Sequence, residues 1–523
     1  MARAERVFRN LYRDSVSLMQ LSAKLRGLPG VWQASAVMAT GSNLALLREA
    51  GLGLGDIEAG PNDLLVAVEG EEGALGDALA AAEAELTRTA TAADDGGGRR
   101  RPAPRSLEMA LGDLPTANLA LISTPGDYAA AEALKALRLG LNVMLFSDNV
   151  ALEDEIALKR YAREHGLLVM GPDCGTAIVN GVPLGFANVV RRGDIGAVAA
   201  SGTGLQQVTC LIDRLGKGIS QAIGTGGHDL HARVGGITML QGLEALAADP
   251  ATRVIVLISK PPDPAIAARV LDAAGAAGKP VVANFLGAEP ERVRREGVHP
   301  ARTLEDAARM AVALADGRQP EGTRSEGGPM APEARAAAER LAAGQRYVRG
   351  LYSGGTFCYE ALLLLGERFG PVWSNTPLGP DRLLPDVWDS REHTAIDLGD
   401  DRFTRGRPHP MIDQTLRNER ILTEAEDPEV AVILLDVVLG YGAHPDPAAE
   451  IAAAVRKAGV LAGAEGRHVA FVGAVCGTAG DPQGLDRQEA TLREAGVLLA
   501  ESNAQAVRLA AAISGRAAGG TGR

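Results

Sequence analysis

Residues 196–212 read GAVAASGTGLQQVTCLI, and residues 348–364 read VRGLYSGGTFCYEALLL. Each stretch begins with apolar residues typical of a buried strand, passes through a turn rich in serine and glycine, and continues with helical spacing. A buried strand, a glycine-rich turn and a helix form the unit from which parallel α/β sheets are built. The two stretches therefore predict an α/β fold in which one strand–turn–helix unit occurs twice.

The likeness between the two halves extends beyond these turns. Three further pairs of stretches keep the same order along the chain: 223–236 with 396–410, 249–260 with 427–438, and 280–288 with 468–476. The second half also carries an insertion of about twenty residues near 371–393, which is longer than an ordinary loop. Internal similarity of this kind predicts two similar domains packed around a pseudo-twofold axis.

Two glycine- and proline-rich segments without apolar periodicity divide the chain. They are AADDGGGRRRPAPRS (92–106) and GRQPEGTRSEGGPMAPEAR (317–335). Before the first of them, alternating strand and helix patterns predict a small α+β domain of the ferredoxin-like or ACT-like kind. The predicted divisions are 1–91 for this domain, 92–106 for a linker, 107–192 for a Rossmann-like unit, 193–316 for the first repeated domain, 317–344 for a linker and helix, and 345–523 for the second repeated domain.

The composition excludes several classes of protein. The 523 residues carry a net charge of −12 and are 46% hydrophobic but only 3% aromatic, which excludes a disordered chain and assigns the cores to aliphatic side chains. The acidic balance argues against nucleic acid or a membrane surface as partner, and no run of about 18 apolar residues predicts a transmembrane helix. The charged N-terminus lacks the apolar core of a signal peptide, so we expect a cytoplasmic protein.

The four cysteines, Cys174, Cys210, Cys358 and Cys476, are far apart and form no CxxC motif. This spacing argues against a disulfide framework and against a zinc cluster, so we predict no metal site. We expect Cys174 to pack in the core rather than to react, because no neighbouring group in the sequence would lower the pKa of its thiol.

The repeated turns are candidate phosphate-binding loops. A helix N-terminus carries about half a positive charge together with unpaired backbone N–H groups, so it attracts anions without a cationic side chain. For a single loop, helix capping would be the simpler interpretation, but the duplication favours an anion held between two helices. The predicted phosphate-binding residues are Ser201, Gly202, Thr203 and Gly204 in the first loop, and Ser353, Gly354, Gly355 and Thr356 in the second.

A second glycine-rich loop, GTGGHDLH (224–231), follows a strand of the first half. Open α/β sheets bind ligands at the carboxyl ends of their strands. We therefore predict His228 as a catalytic residue and Gly226, Gly227 and Asp229 as substrate-binding residues. A capped loop with no ligand is an equally good interpretation of the same pattern.

The corresponding loop of the second half contains TRGRPHP (404–410). Arg405 and Arg407 are predicted to bind substrate, since arginine binds carboxylates and phosphates through two parallel hydrogen bonds. His409 is the second catalytic candidate, because histidine exchanges protons near neutral pH. A solvated loop is the alternative, although three such groups in five residues favour function.

These motifs together resemble the α subunit of succinyl-CoA synthetase. The resemblance rests on GPDCGTAIVNG (171–181), SGTG (201–204), GTGGHDL (224–230) and KPVVANF (279–285), and on SGGTFCYEA (353–361), which is similar to the SGTLTYE motif of that family. It implies a Rossmann-like CoA-binding unit followed by two flavodoxin-like CoA-ligase domains. It also implies CoA as the candidate cofactor, although we assign none outright.

The whole layout resembles the FdrA family of acyl-CoA-synthetase-like proteins, whose members are associated with oxamate carbamoyltransferase in allantoin degradation. NLYRDSVSLMQLS (10–22) and MATGSNLALL (38–47) carry this resemblance into the N-terminal domain. It implies an enzyme subunit that transfers a carbamoyl or other acyl group from an acyl phosphate to a small acceptor such as oxamate. The implied partners are these small molecules and further protein subunits.

Departures from the synthetase pattern separate the hypotheses. The loop that carries the phosphorylated histidine in the synthetase is shortened here, and the nearest histidine, His299, is expected not to be phosphorylated. No Walker loop and no ATP-grasp domain is visible. These departures favour transfer from an already activated phosphate. The alternative is an acyl-CoA ligase component that uses CoA, phosphate and a nucleotide-binding partner, and a noncatalytic scaffold is a third hypothesis.

Overall fold

A computed structural model describes residues 2–49, 51–52, 58–91, 104–320, 331–405 and 407–519. The described residues form four sheets, and the fold is α/β with parallel sheets in its larger part, as the sequence predicts. Most of the predicted linker over 92–106 and part of the one over 317–344 lie outside the described residues. None of the described helices is long and apolar enough to cross a membrane.

The first unit contains β1 (Ala2–Phe8), α1 (Ser15–Arg26), β2 (Val31–Met38), α2 (Gly41–Glu49), β3 (Leu64–Gly70) and α3 (Glu72–Thr91). Its strands form an antiparallel sheet of order β1-β3-β2, which makes it a small α+β domain. Strand β1 was not predicted, because it is a partly exposed edge strand without the continuous apolar run that marks β3. Helix α1 begins where the Asp14 carboxylate accepts a hydrogen bond from Ser17 N at 3.0 Å.

The second unit contains α4 (Leu107–Asp113), β4 (Leu119–Ile122), α5 (Gly126–Arg138), β5 (Asn142–Leu145), α6 (Leu152–Glu164) and β6 (Val169–Met170). The three strands form a parallel sheet of order β4-β5-β6. Helix α5 packs through Ala129, Ala133 and Ala136, all fully buried, whose small side chains let the helix lie close to its neighbours.

The third unit contains β7 (Thr176–Val179), β8 (Val182–Gly185), β9 (Arg192–Ala200), α7 (Gly202–Arg214), β10 (Ile219–Gly224), α8 (Ile237–Ala248), β11 (Val254–Ser259), α9 (Pro264–Gly275), β12 (Val281–Phe285), α10 (Pro290–Val293), β13 (Val298–Pro300) and α11 (Leu304–Ala315). Its sheet has the order β13-β12-β11-β9-β10-β7-β8. The hairpin β7–β8 pairs antiparallel with β10. The sheet therefore includes residues that precede Arg192, where the sequence analysis places the change of unit.

The fourth unit contains α12 (Pro332–Glu339), β14 (Tyr347–Tyr352), α13 (Gly355–Phe369), a 3-10 turn (Pro380–Arg382), β15 (Thr394–Asp397), α14 (Asp401–Thr404), α15 (Thr415–Glu426), β16 (Val430–Val438), α16 (Pro447–Ala464), β17 (Ala470–Cys476), α17 (Leu485–Glu494), β18 (Val497–Ala500) and α18 (Asn503–Gly519). The sheet is parallel, with order β15-β14-β16-β17-β18. The two edge strands β15 and β18, of four residues each, were not predicted.

The third and fourth units repeat one another in strand order. Strands β9 to β13 are arranged β10-β9-β11-β12-β13, and strands β14 to β18 are arranged β15-β14-β16-β17-β18. Helices α7 and α11 of one unit pack against α13 and α18 of the other, and Val208, Leu304, Phe357 and Val507 belong to a single buried cluster. The two repeats thus share one apolar core between their sheets.

Asp481 connects the third unit to the fourth through hydrogen bonds. Its buried carboxylate accepts hydrogen bonds from Asn188 Nδ2, Val189 N and Thr478 N, each at 2.8 Å. The Asn188 amide also donates to Leu439 O at 2.9 Å. Donors from both sides of the junction therefore converge on one carboxylate.

We predict that Asp481→Ala lowers the free energy of unfolding by about 3 kcal/mol, because each buried donor left without an acceptor costs about 1–3 kcal/mol. Urea denaturation followed by circular dichroism measures the change. The matched control is Asp486→Ala, an exposed residue in the first turn of α17, which should cost less than about 0.5 kcal/mol. Equal losses in the two variants would contradict the assigned role of Asp481.

Candidate functional site

The N-terminal ends of α7 and α13 meet. The Ser201 and Thr356 hydroxyls are 2.6 Å apart and share a hydrogen bond, and a side-chain carbon added at Gly354 would lie 3.0 Å from Thr203 Cγ2. Ser201 begins α7, where its Oγ accepts a hydrogen bond from Gly204 N at 3.0 Å. First-turn N–H groups have no intrahelical acceptor, so the two helices present such groups side by side.

A carboxylate of the protein itself occupies part of the second loop. Asp436, in β16, accepts hydrogen bonds from Ser353 N at 2.8 Å, Ser353 Oγ at 2.7 Å and Gly354 N at 2.9 Å. Arg417 Nη1 balances this charge by donating to Asp436 Oδ1 at 2.9 Å. Ser353 and Gly354, which the sequence predicts to bind phosphate, therefore bind Asp436 and are not available to a ligand.

Lys260 and Asp397 lie beside the first turn of α13. A carbon added at Gly355 would overlap Asp397 Oδ2 and would lie 3.3 Å from Lys260 Nζ. Burial raises the pKa of Asp397 to about 6, and the charge of Lys260 opposes that rise. Lys260 follows β11 and Asp397 ends β15, so the carboxyl ends of two different sheets bring them together.

Neither Lys260 nor Asp397 is among the residues predicted from the sequence. A signal for Lys260 existed, because it is the charged residue directly after the apolar strand RVIVLIS (253–259), and strand ends are where α/β sheets bind ligands. We call the group formed by the first turns of α7 and α13 and by Lys260 the anion corner. It includes Gly202, Thr203, Gly355 and Thr356.

Asp173 lies within electrostatic reach of Lys260 and His228, and its pKa is raised. Burial raises the pKa of Asp173 to about 7, the carboxylates of Asp148 and Asp401 add to the rise, and the charges of His228 and Lys260 oppose it. Asp173 is one of the exposed residues of the structure, so its carboxyl group is open to solvent. A carboxyl group with such a pKa can exchange protons under physiological conditions. Asp173 is not among the residues predicted from the sequence.

His409 lies next to the loop between β15 and α14. Its Nδ1 accepts a hydrogen bond from Met411 N at 3.2 Å, and its Nε2 would lie 2.6 Å from a carbon added at Gly399. Burial and the positive charge of Arg417 lower the pKa of His409 to about 4, so the ring is neutral at pH 7. Since Nδ1 accepts, the hydrogen bonding assigns the proton to Nε2, and His409 is a hydrogen-bond donor rather than a base.

His228 and Asp229 have different surroundings although they are adjacent. Asp229 is fully buried and accepts two backbone N–H bonds at the start of α8, at 3.1 and 2.8 Å, and a third bond from Lys159 Nζ at 2.8 Å. It therefore holds α8 and is not available to substrate, contrary to its predicted role. The His228 side chain is 58% exposed, with Nδ1 3.6 Å from Glu155 Oε2, and Glu155 raises the pKa of His228.

The glycines of this loop permit a close approach to the turn at Asp173. Gly226 has φ +82°, and a carbon added there would overlap Pro172 O, so only glycine fits. Gly227 is exposed, and a carbon added there would lie 3.4 Å from Asp173 Oδ2. Gly226 thus serves the contact between loops, whereas Gly227 is exposed beside Asp173.

Arg405 and Arg407 also differ. The Arg407 guanidinium lies 5.8 Å from the centre of the Trp388 ring, a cation–π contact. Arg405 is exposed, and its backbone N donates to Asp401 O at 3.0 Å. Among the residues that the structure describes, the Arg405 side chain has no hydrogen-bond or ion-pair partner. Arg405 is the more exposed of the two arginines, so it is the better candidate to bind a carboxylate.

We assign the four cysteines and His299 no role in the anion corner. All four cysteines are buried and unpaired, and burial raises the pKa of Cys174 to about 12, which agrees with a packing role. His299 lies on the edge strand β13, where it pairs with Val282. Burial lowers the pKa of His299.

The fold and the site together define a class of protein. The carboxyl ends of two related parallel sheets, the first turns of two helices and a lysine converge on one corner, a geometry suited to a phosphate or carboxylate group. The fourth unit matches the CoA-ligase family over residues 351–513. The protein is therefore a duplicated α/β protein whose fourth unit matches the CoA-ligase family.

A relative of similar length shows the family to which the chain belongs. The chain is 46% identical over 496 residues to the Escherichia coli (strain K12) protein YahF, an alignment that covers 94% of this chain and 95% of YahF. The chain belongs to the same family as YahF. Residues 1–103 also match a family described as AllF, heavy metal-associated domain.

Succinate–CoA ligase α subunits are more distant relatives. The ADP-forming mitochondrial subunit alpha-2 of Trichomonas vaginalis is 32% identical over 153 residues, which are 28% of this chain and 47% of that subunit. In these alignments the chain spans about half the length of the curated ligase subunits that it matches. The solved dinucleotide-forming acetyl-coenzyme A synthetase 1 of Ca. Korarchaeum cryptofilum, in complex with phosphate and ADP, aligns with 82% of this chain and 89% of its own at 15% identity and a TM-score of 0.34.

The N-terminal domain does not offer the ligands that a heavy metal prefers. Residues 1–103 contain neither cysteine nor histidine, which are the usual ligands of soft and borderline metals. Within the described ranges, no group of three or more His, Cys, Asp or Glu residues could hold a metal ion. We assign this domain no metal chemistry.

We predict that Lys260→Gln weakens the binding of inorganic phosphate at least tenfold, because a hydrogen bond to a charged group contributes about 1.5–3 kcal/mol. Gly202→Val should also block binding, since the added side chain would stand in front of the α7 N-terminus. Isothermal titration calorimetry on the full chain measures both effects. Lys457→Gln, at an exposed position of α16, is the control and should bind phosphate normally. Unchanged affinity in Lys260→Gln would place the anion site elsewhere.

Proposed function

We propose that the anion corner binds an acyl phosphate and that the protein, with partner subunits, transfers the acyl group to a small acceptor that carries a carboxylate. The first pair to test is carbamoyl phosphate and oxamate. The observation that carries the proposal is the contact between the two helix N-termini, with Ser201 Oγ and Thr356 Oγ1 2.6 Å apart and Lys260 beside them. We propose in addition that the protein is a member of the FdrA family and acts in allantoin catabolism.

The proposed reaction is a substitution at the acyl carbon. The phosphate oxygens bind the first-turn N–H groups and Lys260, which stabilise the charge that grows on phosphate as it leaves. The acceptor nitrogen attacks the acyl carbon, the new C–N bond forms, and the C–O bond to phosphate breaks with its electron pair going to phosphate. The proton released from the nitrogen passes to the Asp173 carboxylate.

The remaining groups position the two substrates in this proposal. Arg405 binds the acceptor carboxylate, since its guanidinium is available. The Nε2–H of His409 and the imidazole of His228 donate hydrogen bonds to the acyl and acceptor oxygens. An acyl phosphate is already activated, so the transfer requires no nucleotide at this site.

We expect little phosphate release by the isolated chain, and release from carbamoyl phosphate plus oxamate once the proteins that co-purify with it are present. A coupled phosphate assay with and without CoA measures this. Release that is independent of CoA and nucleotide supports the transferase. Strict dependence on CoA and nucleotide, with no reaction of carbamoyl phosphate, would reject it.

Two arginine variants test, in the same assay, whether Arg405 binds the acceptor. Arg405→Ala should raise the KM for oxamate about tenfold or more, because it removes a hydrogen bond between charged groups worth about 1.5–3 kcal/mol. Arg407→Ala is the matched control, since Arg407 lies over Trp388, and it should change this KM less.

The role of Asp173 predicts a pH dependence. The base must be ionised, so kcat should rise as the pH increases through about 7, the pKa of Asp173. Asp173→Asn should abolish this rise and lower kcat by about 10²–10⁴-fold. Asp148→Asn removes a nearby negative charge, lowers the pKa of Asp173 and should move the rise to lower pH. A rise that is the same in all three proteins would exclude Asp173 as the base.

A second candidate function is an acyl-CoA ligase component, which the CoA-ligase match over 351–513 favours. The loops after β4 and β5 would hold CoA, and Thr124 Oγ1, in the first of them, is buried without a hydrogen-bond partner among the described residues. Such a reaction needs a partner that binds the nucleotide. Acid-labile, base-stable phosphate mapped to His299 after incubation with ATP and the co-purifying proteins would support this candidate over the transferase.

A further inference from the structure

A cavity of about 730 Å³ lies between the N-terminal domain and the fourth unit. Its first wall comes from α1 and α3, and its second wall from the segment before and at the start of α15 and from the loop that leads into α16. The volume is in the range of sites for small metabolites. The residues of the anion corner do not line it, so the cavity is a separate feature of the molecule.

Arg26 and Asp413, one from each wall, form an ion pair beside this cavity. Arg26 Nη1 lies 3.1 Å from Asp413 Oδ2, with side chains only 11% and 7% exposed. The angles of this ion pair do not make a hydrogen bond. Arg26 Nε, Arg26 Nη2 and Asp413 Oδ2 are thus buried with no hydrogen-bond partner among the described residues. Unfilled buried donors and acceptors cost stability, so a ligand that fills them would bind favourably.

The unfilled groups indicate the chemistry of the ligand. Nε and Nη2 belong to the same edge of the Arg26 guanidinium, and two parallel N–H bonds from one edge match the two oxygens of a carboxylate. The unfilled oxygen of Asp413 is an acceptor and requires an N–H or O–H donor. These groups therefore favour a ligand that contains both a carboxylate and a hydrogen-bond donor.

The two walls carry opposite charges that extend this pattern. The ionisable side chains are Arg13, Lys24, Arg26 and Glu85 on the first wall, and Asp413, His444 and Glu450 on the second. Lys24 pairs with Glu85 within the first wall, and His444 lies 3.3 Å from Glu450 within the second. Once these two pairs are set aside, Arg13 and Arg26 remain on the first wall and Asp413 remains on the second. A ligand that carries both a carboxylate and N–H groups would match them.

We propose that this cavity binds a small carboxylate that also carries N–H donors, such as an amino acid, an amide acid or a ureido acid. Its carboxylate binds the free edge of Arg26, and its N–H groups bind Asp413. The carbon chain between them contacts the apolar side chains of Leu18, Leu21 and Ile412, which line the cavity.

The test is isothermal titration calorimetry on the full chain with three probes: N-carbamoylglycine, N-acetylglycine and asparagine. At least one should bind. Propionate, which lacks N–H groups, and methylurea, which lacks a carboxylate, should each bind at least tenfold more weakly than that probe. Failure of all three probes, or equal binding of propionate, would overturn the proposal.

Two variants locate the binding. Arg26→Gln should weaken it at least tenfold. Ala443→Leu, which fills the cavity and leaves every charge in place, should do the same and keeps the test valid if Arg26→Gln unfolds. Arg48→Gln, at an exposed arginine of α2 outside the cavity, should bind normally, and so should Lys260→Gln, which separates this site from the anion corner. Undiminished binding by Ala443→Leu would overturn the proposal.

Discussion

The carboxylate of Asp436 fixes the position of α13, on which the whole site depends. It holds the two residues that precede the helix through three hydrogen bonds of 2.7–2.9 Å, and Arg417 from α15 supplies the balancing charge. Removing one member of such a buried pair costs about 3–5 kcal/mol, because the other charge is left uncompensated. The pair therefore sets where the N-terminus of α13 points, and with it the contact between Ser201 and Thr356.

This arrangement makes the two repeats unequal. In the first repeat, Ser201 caps its own helix at Gly204 N and the rest of the first turn stays open. In the second, Asp436 fills the loop, and the cation beside the α13 N-terminus is Lys260, which comes from the other repeat. The two repeats therefore contribute differently to the anion corner. Helix α7 has open N–H groups in its first turn, and Asp436 holds the N-terminus of α13 in place.

The sequence predicted the parts of the structure that are encoded locally. The apolar runs of β9 and β14 and the turns after them can be recognised in residues 196–212 and 348–364, and the likeness of the two stretches predicted a repeated unit. The strand order that the two units share was not predicted, and neither were the short edge strands β15 and β18. The true role of Ser353 could not be predicted, since its partner Asp436 lies 83 residues away and no local pattern records that contact.

The segment between the anion corner and the cavity gives the N-terminal domain a physical connection to the site. Asp413 N donates to His409 O at 3.1 Å, so the histidine near the corner and the carboxylate in the cavity wall lie on one turn. Helix α15 follows at once, and Arg417 Nη1 reaches Asp436 from its first turns. A short element that touches both places can carry coupling between them only if each ligand prefers the same position of that element. The buried, incompletely bonded pair of Arg26 and Asp413 is the contact at which the N-terminal domain can bias that position.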